Sequence, residues 1–241
     1  MNIQEELRVW ADRTAKGYVA IANEVGEKAP SFYTQSDLTK IMGAPEVVVL
    51  GINPGSCGTY LGQKGNPNWG LNGEDMDGDH LILGNYCKND AGNPNWSDRN
   101  QWPYWHRLKA YFRDVLPSNP LENEENHVVT NMSFFNSKKA NHLSNKLLTK
   151  SIPYSLDLIK ILKPKHIIFL GGGGMLDKLN RVNRTKIFDI SYEIISPGVY
   201  KGQFDGLPFL AVPHPSAYLK SEARQKVVDC ITAFIPNRSL D

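Results

Sequence analysis

The sequence has few cysteines, no long apolar run and almost no excess charge of either sign. Its three cysteines, Cys57, Cys87 and Cys230, lie far apart, which is typical of a reducing compartment and argues against a disulfide framework, a zinc ribbon or an iron–sulfur cluster. No apolar stretch approaches the roughly 20 residues of a membrane span, and the N-terminal stretch MNIQEELRVWADR lacks the features of a secretory signal. We therefore expect a cytoplasmic protein without a membrane partner.

The net charge of +2 does not by itself indicate a nucleic-acid partner, but the charges are unevenly distributed. Acidic residues gather near Glu5–Glu27, at Glu74–Asp79 and at Glu122–Glu125. By contrast, residues 127–155 contain no acid and four lysines: Lys138, Lys139, Lys146 and Lys150. A surface that contacts phosphates requires such asymmetry, and an ordinary solvated face of lysines would give the same pattern.

The composition favours a single globular domain over residues 1–241. Of its 241 residues, 41% are hydrophobic and 22% charged, and no shift in composition divides the chain. Residues 3–25 have apolar positions at helical spacing and predict an N-terminal amphipathic helix. Residues 59–100 are rich in Gly, Asn, Asp, Pro and Trp and predict a long loop insertion, a kind of segment that often carries function.

Four short runs of β-branched and aliphatic residues predict the strands of an α/β fold. They are Val47–Leu50, His127–Phe135, Lys165–Leu170 and Pro208–Val212. Turn signals at Pro197-Gly198 and Asp205-Gly206 indicate a hairpin-like region before the last run. Helices are predicted between and beyond these runs, at Ser36–Met42, Gln101–Leu116, Pro153–Leu162, Met175–Val182 and Ala223–Ile235. The pattern predicts a central, mostly parallel four-stranded sheet covered by helices.

The first strand leads into the motif GINPG at Gly51–Gly55. Pro54 fixes φ and removes one N–H, while Gly55 and Gly58 allow backbone conformations that bring main-chain groups close to a ligand. A polar Asn53 held in such a turn lies at the carboxyl end of a strand, where open α/β sheets bind ligands. On these residues alone, a plain tight loop is the more common explanation of the pattern.

Three further features follow the other strands. His214 is flanked by Pro213 and Pro215, which restrict its backbone strongly, so it is a candidate for ligand contact. Asn131 is a polar amide in an apolar run, and it needs either a backbone or a ligand partner. The run Gly171–Gly174 lacks the GxGxxG spacing of a dinucleotide site and favours close packing of the next helix.

Together, GINPG, the Asn in VVTNMSF, the strand that ends at Gly171 and the PHPS of residues 213–216 resemble the uracil-DNA glycosylase superfamily. The pairing of Asn53 with His214 is most similar to its single-strand-selective monofunctional branch. The resemblance implies a three-layer α/β/α sandwich and an enzyme that cleaves the N-glycosidic bond of uracil or a related damaged pyrimidine after base flipping. It implies DNA as the partner, a monomer and no cofactor or metal, with the protein associated with the nucleoid if the source is bacterial.

The resemblance also assigns roles to residues of this chain. Asn53 would position water and His214 would stabilise the departing base. Base contacts are implied for Gly51, Ile52, Pro54, Gly55 and Asn131, with Tyr60 or Trp69 as the aromatic platform. DNA contacts are implied for Ser216, Tyr218, Leu219 and Lys220, and the charge pattern adds Lys138 and Lys139.

Some features depart from this family pattern. The PHPS motif continues as Ala217-Tyr218-Leu219 rather than with the proline that commonly follows, and the acidic run Glu74–Asp79 would repel DNA beside a binding groove. Two other interpretations therefore stand beside the glycosylase. One is a catalytically silent relative that binds a base, nucleotide, DNA or protein. The other is an unrelated α/β enzyme that acts on a nucleotide or small metabolite.

Overall fold

A computed structural model describes residues 2–55, 58–84 and 99–235. Within these ranges the chain forms seven α-helices: α1 Ile3–Val25, α2 Tyr60–Lys64, α3 Gly78–Ile82, α4 Pro103–Tyr111, α5 Asn145–Leu162, α6 Gly172–Val182 and α7 Ser221–Phe234. The strands there are β1 Val47–Gly51, β2 His127–Asn131, β3 His166–Leu170, β4 Ile190–Ser196, β5 Val199–Phe204 and β6 Leu207–Val212. Cys57 and Cys87 lie outside the described residues, and Cys230 is a half-buried free thiol.

The strands form one mixed sheet in the order β2-β1-β3-β6-β5-β4, flanked by helices. β1 pairs with β3 and β3 with β6 in parallel, while β4, β5 and β6 form an antiparallel meander. The α/β class is therefore confirmed, but the prediction of four mostly parallel strands is wrong. The two turns at Pro197-Gly198 and Asp205-Gly206 join three strands. β4 and β5 were expected only as a hairpin-like region and not counted as strands, because both are partly exposed and neither has a buried apolar run.

The chain folds as two compact units, each made of separate stretches of sequence. Unit 1 consists of Met1–Gly43, Gly51–Asp98 and Val129–Lys163. Unit 2 consists of Ala44–Leu50, Arg99–Val128 and Pro164–Asp241. The single domain expected from composition stays a prediction. No helix in the described ranges is long and apolar enough to cross a membrane.

The core of unit 1 is aromatic. The ring of Tyr18 lies 5.3 Å from that of Phe134, 4.7 Å from that of Phe135 and 5.1 Å from that of Phe32, measured between centroids. Helix α1 packs against α3 and α5 over this cluster. Its N-terminus is closed by a capping box between Asn2 and Glu5, which supplies partners for orphan backbone N–H groups.

Helix α5 begins earlier than its sequence predicts. Pro153 was expected in the first turn, but the helix starts at Asn145, with Ser144 as its N-cap, and Pro153 lies inside it. An interior proline removes one backbone hydrogen bond and costs about 3 kcal/mol in an isolated helix. The buried face formed by Leu148, Ile152 and Leu156 runs through the proline, and its packing offsets that cost.

The core of unit 2 lies on its sheet. The Phe169 ring packs edge-on against Phe204 and Phe209, with centroids 5.2 Å and 5.1 Å away. Helix α6 packs against β3, β5 and β6, and α7 packs against β6 and α4. A Cβ on Gly172 would lie 2.7 Å from the Gly198 carbonyl oxygen, and one on Gly173 would lie 2.6 Å from Tyr200 Oη. The glycine run therefore allows close packing of α6, as its spacing indicates.

Other predicted elements differ mainly in extent. Ser36–Met42 contains only a 3-10 helix at Leu38–Lys40, and the helix predicted at Gln101–Leu116 is confined to α4. The described part of the 59–100 insertion is not irregular, since it holds α2, a 3-10 helix at Pro67–Trp69 and α3. Residues 85–98 of that insertion lie outside the described ranges.

Candidate functional site

Asn53 is held by its amide nitrogen in unit 1. Its Nδ2 donates to the carbonyl oxygen of Pro54 at 2.8 Å, to that of Ser137 at 3.1 Å and to Ser137 Oγ at 3.0 Å. The Ser137 N–H in turn donates to the Pro54 carbonyl oxygen at 3.1 Å. Among the described residues, no donor contacts Asn53 Oδ1. The side chain can therefore accept a hydrogen bond and orient a water, but as an amide it cannot remove a proton.

Asn131 lies at the end of β2, close to Gly51 at the end of β1. Asn131 is 3% exposed, and its Nδ2 donates to Gln35 Oε1 at 3.0 Å. A Cβ on Gly51 would lie 2.5 Å from Asn131 Oδ1, so only glycine leaves room for this amide. The Met132 N–H donates to the Gly51 carbonyl oxygen at 2.8 Å. Unit 1 thus brings the GINPG turn and the Asn131 amide together.

The two aromatic candidates for a base platform have different surroundings. Tyr60 is 2% exposed, its ring packs on Phe32 at 4.9 Å, and its hydroxyl donates to Asp75 and accepts from the Met76 N–H. Its ring belongs to the core of unit 1. Trp69 is half-buried, and its ring centroid lies 5.4 Å from that of Tyr33. Trp69 is therefore the better placed of the two to offer an accessible ring face.

His214 lies in unit 2, in the turn after β6. The Ser216 N–H donates to His214 Nδ1 at 3.2 Å, and the Ala217 N–H donates to the His214 carbonyl oxygen at 2.8 Å. Because Nδ1 accepts, the proton of the neutral ring is on Nε2. The Tyr104 ring stacks on the imidazole with centroids 5.6 Å apart and planes 24° apart.

The surroundings of His214 favour its neutral form. The side chain has solvent access, yet enough protein atoms surround the ring that burial lowers its pKa below the usual range. Among the residues that the structure describes, no carboxylate contributes to this shift. A neutral imidazole with its proton on Nε2 can act as a hydrogen-bond donor at neutral pH.

The segment after His214 carries the most exposed large hydrophobic side chain of the described residues. Tyr218 is 93% exposed. Ser216 and Lys220 are also exposed, and Leu219 is half-buried. Lys220 is the N-cap residue of α7. In unit 1, Lys138 and Lys139 are exposed, as a phosphate-contacting role requires.

Part of the acidic run Glu74–Asp79 is engaged with other groups of unit 1. Asp75 accepts from Lys64 Nζ at 2.7 Å, and this hydrogen bond lowers the pKa of Asp75. Asp79 pairs with Arg8 at 2.7 Å, and Asp77 caps α3 by accepting from the His80 N–H. These partners reduce the negative charge that the sequence attributes to the insertion.

The structure adds four side chains to the candidates from sequence. Ser137 holds Asn53, Gln35 holds Asn131, Tyr33 contacts Trp69 and Tyr104 stacks on His214. None of them belongs to a recognisable motif, and each is distant in sequence from the residue that it contacts. Ile52 and Pro54 are buried in the GINPG turn, and Gly55 is exposed.

Three strands of the sheet run in the same direction. β1, β3 and β6 are parallel, so their carboxyl ends lie at the same edge. Within unit 2, β6 continues into the PHPS motif. Within the described ranges, no group of three or more His, Cys, Asp or Glu side chains could hold a metal ion. Comparison with protein-family models and with curated proteins finds no match to this chain.

Proposed function

We propose that this protein is a DNA glycosylase that hydrolyses the N-glycosidic bond of uracil or a related damaged pyrimidine. The observation that carries the proposal is the Ser216 N–H bound to His214 Nδ1, which leaves Nε2–H as a fixed donor after a parallel strand. The mixed α/β sheet flanked by helices is compatible with the three-layer sandwich of the uracil-DNA glycosylase superfamily. DNA would be the partner, and the protein would act as a cytoplasmic monomer.

The role of His214 follows from the charge that the reaction creates. Breaking the bond leaves negative charge on the departing pyrimidine, most accessibly at O2. A neutral Nε2–H donated to that oxygen would stabilise the charge as an oxyanion-hole donor does, and loss of one such donor typically costs about 3 kcal/mol of the activation free energy. A lowered pKa supports this role, because the ring then stays neutral at physiological pH.

The role of Asn53 follows from its Oδ1, which no donor among the described residues contacts. Breaking the bond also leaves the sugar with oxocarbenium character, so a water must be aligned with C1′. With Nδ2 bound to Pro54 and Ser137, Asn53 Oδ1 can accept a hydrogen bond from that water. Because an amide cannot take the proton, we expect slower chemistry than a carboxylate at this position would give.

Base binding is assigned to unit 1 and strand separation to the segment after His214. Asn131 would pair with N3–H and O4 of a flipped pyrimidine, and Trp69 would stack on its ring. Tyr218, with its 93% exposure, would enter the space that the flipped base leaves. Lys138, Lys139 and Lys220 would contact phosphates.

The test is release of uracil from labelled oligonucleotides. Wild-type protein, His214→Ala and the matched control His106→Ala are incubated with a single strand that contains uracil and with a U·G duplex. His106 is an exposed histidine of α4. We expect alkali-sensitive breaks with wild type and His106→Ala, and a rate at least about 100-fold lower with His214→Ala.

Other outcomes separate the alternative functions. A folded wild-type protein that releases no uracil from either substrate would refute the proposal. Tight DNA binding without release would then indicate a catalytically silent relative. Binding of free nucleotides with indifference to DNA would indicate an unrelated nucleotide or metabolite enzyme.

A further inference from the structure

The side chain of Gln35 contacts the amide of Asn131 inside unit 1. Asn131 Nδ2 donates to Gln35 Oε1 at 3.0 Å, and Gln35 is half-buried. The main chain of Asn131 is also fixed, because Ser155 Oγ donates to the Asn131 carbonyl oxygen at 3.0 Å. Because the backbone is held, the side-chain amide of Asn131 can change its hydrogen-bonding direction only by rotating. Gln35 contacts the Nδ2 end of that amide.

The two orientations of a primary amide present opposite hydrogen-bonding edges. When Gln35 Oε1 accepts one N–H of Asn131, the amide still offers Oδ1 as an acceptor and a second N–H as a donor. Uracil presents a donor at N3 and an acceptor at O4, which match this edge. Cytosine presents an acceptor at N3 and a donor at N4, which match the edge of the rotated amide.

We propose that Gln35 is a positioning residue that sets the pyrimidine specificity of Asn131, by holding the amide in the orientation that matches uracil. This inference rests on the proposed function. Gln35 acts only through Asn131, by accepting its Nδ2–H. The absence of a side chain at Gly51 completes the arrangement, since a Cβ there would lie 2.5 Å from Asn131 Oδ1.

Three variants test the inference. Gln35→Leu removes the acceptor at similar size. Gln35→Glu keeps an acceptor and carries no donor when ionised. Gln203→Leu makes the same exchange as the first variant at an exposed position of β5. For each folded variant and for wild type, binding of free uracil and free cytosine is measured by calorimetric titration, and release of both bases from single-stranded oligonucleotides is measured in parallel.

We expect Gln35→Leu to reduce the preference for uracil over cytosine about five- to tenfold, since one hydrogen bond between neutral groups is lost. Gln35→Glu and Gln203→Leu should keep the wild-type preference. Rescue by the glutamate distinguishes orientation of the amide from simple loss of packing, because only the acceptor is restored.

The inference is overturned if Gln35→Leu keeps the full preference, or if Gln35→Glu loses as much of it as the leucine variant. A wild-type protein that releases no uracil would refute the proposed function, while the free-base titrations would still decide the role of Gln35. A wild type that binds neither free base would overturn the inference as well.

Discussion

At the scale of single residues, Ser137 fixes the orientation of the Asn53 side-chain amide. Both its carbonyl oxygen and its hydroxyl oxygen accept from Asn53 Nδ2, and its own hydroxyl donates to the Lys139 carbonyl oxygen at 2.6 Å. The hydroxyl is thereby held in place as an acceptor for Asn53. Because the amide is anchored through its nitrogen, its Oδ1 keeps one orientation as a hydrogen-bond acceptor.

Removing the Ser137 hydroxyl should loosen that anchor and slow the proposed reaction. For Ser137→Ala we expect the rate of uracil release to fall about fivefold, which corresponds to one hydrogen bond of about 1 kcal/mol. Single-turnover kinetics on a single-stranded oligonucleotide measures the rate, and thermal unfolding shows whether the fold is intact. Ser191→Ala, which removes an exposed hydroxyl of β4, is the control. Equal rates for the two variants would contradict the role given to Ser137.

The sequence could point to Asn53 and His214 but not to the residues that hold them. Asn53 and His214 stand in turns that proline and glycine mark locally. Ser137 lies 84 positions from Asn53, and Gln35 lies 96 positions from Asn131. Such contacts arise only when the chain folds, and a serine or glutamine without a motif carries no local signal of its partner.

At the scale of elements, the glycines at the start of α6 do not all serve the same purpose. Gly172 has a φ of +52°, and a Cβ there would lie 2.7 Å from the Gly198 carbonyl oxygen. Gly174 is exposed, and a Cβ there would meet nothing within 4 Å. Glycine is required at position 172 because another backbone segment approaches closely there, and it is not required at position 174.

Alanine substitutions should therefore change stability in opposite directions. Gly174→Ala should raise the free energy of unfolding by about 0.5–1 kcal/mol, because alanine favours a helix interior over glycine. Gly172→Ala should lower it by about 2 kcal/mol or more, through the left-handed backbone and the contact with a carbonyl oxygen. Urea denaturation of both variants beside wild type measures the two values. A destabilised Gly174→Ala, or an unchanged Gly172→Ala, would show that the run is not used for packing in this way.

Elements were predictable where burial follows a local pattern. α1 and the three parallel strands were located from apolar spacing and from runs of β-branched residues, because each buries a regular face. β4 was expected only as part of a hairpin-like region, because its residues are largely exposed at the edge of the sheet. The predicted α5 begins too late, at Pro153, because proline is a strong local signal for the start of a helix. The packing that keeps the proline inside the helix is tertiary and has no local signal.

At the scale of the whole molecule, three histidines link stability to pH. Burial lowers the pKa of His127, His166 and His214 in the folded chain. In the unfolded chain an imidazole has a pKa of about 6.5. The unfolded state therefore binds more protons than the folded state once the pH falls below this value.

We expect the free energy of unfolding to be level between about pH 7 and 8 and to decrease as the pH falls through about 6.5 and below. Glu24 and Asp75, whose pKa values are lowered by hydrogen bonds from Lys150 and Lys64, contribute a separate loss near pH 4 and below. Urea midpoints at pH 8.0, 7.5 and 5.5 measure the first effect. The midpoints at the two higher pH values should agree. A midpoint at pH 5.5 equal to them would exclude the effect of the histidines.

The interleaving of the two units has a consequence for how the chain is made. The last stretch of unit 2, Pro164–Asp241, supplies every strand from β3 to β6. During synthesis β1 therefore leaves the ribosome long before its neighbour β3, since Glu46 and Lys165, which form an ion pair beside these strands, are 119 positions apart. For that interval β1 has at most β2 beside it, so its apolar side chains lack the rest of the sheet and incomplete chains are exposed to aggregation. Translation speed and access to chaperones thus matter more for this fold than for one built from consecutive hairpins.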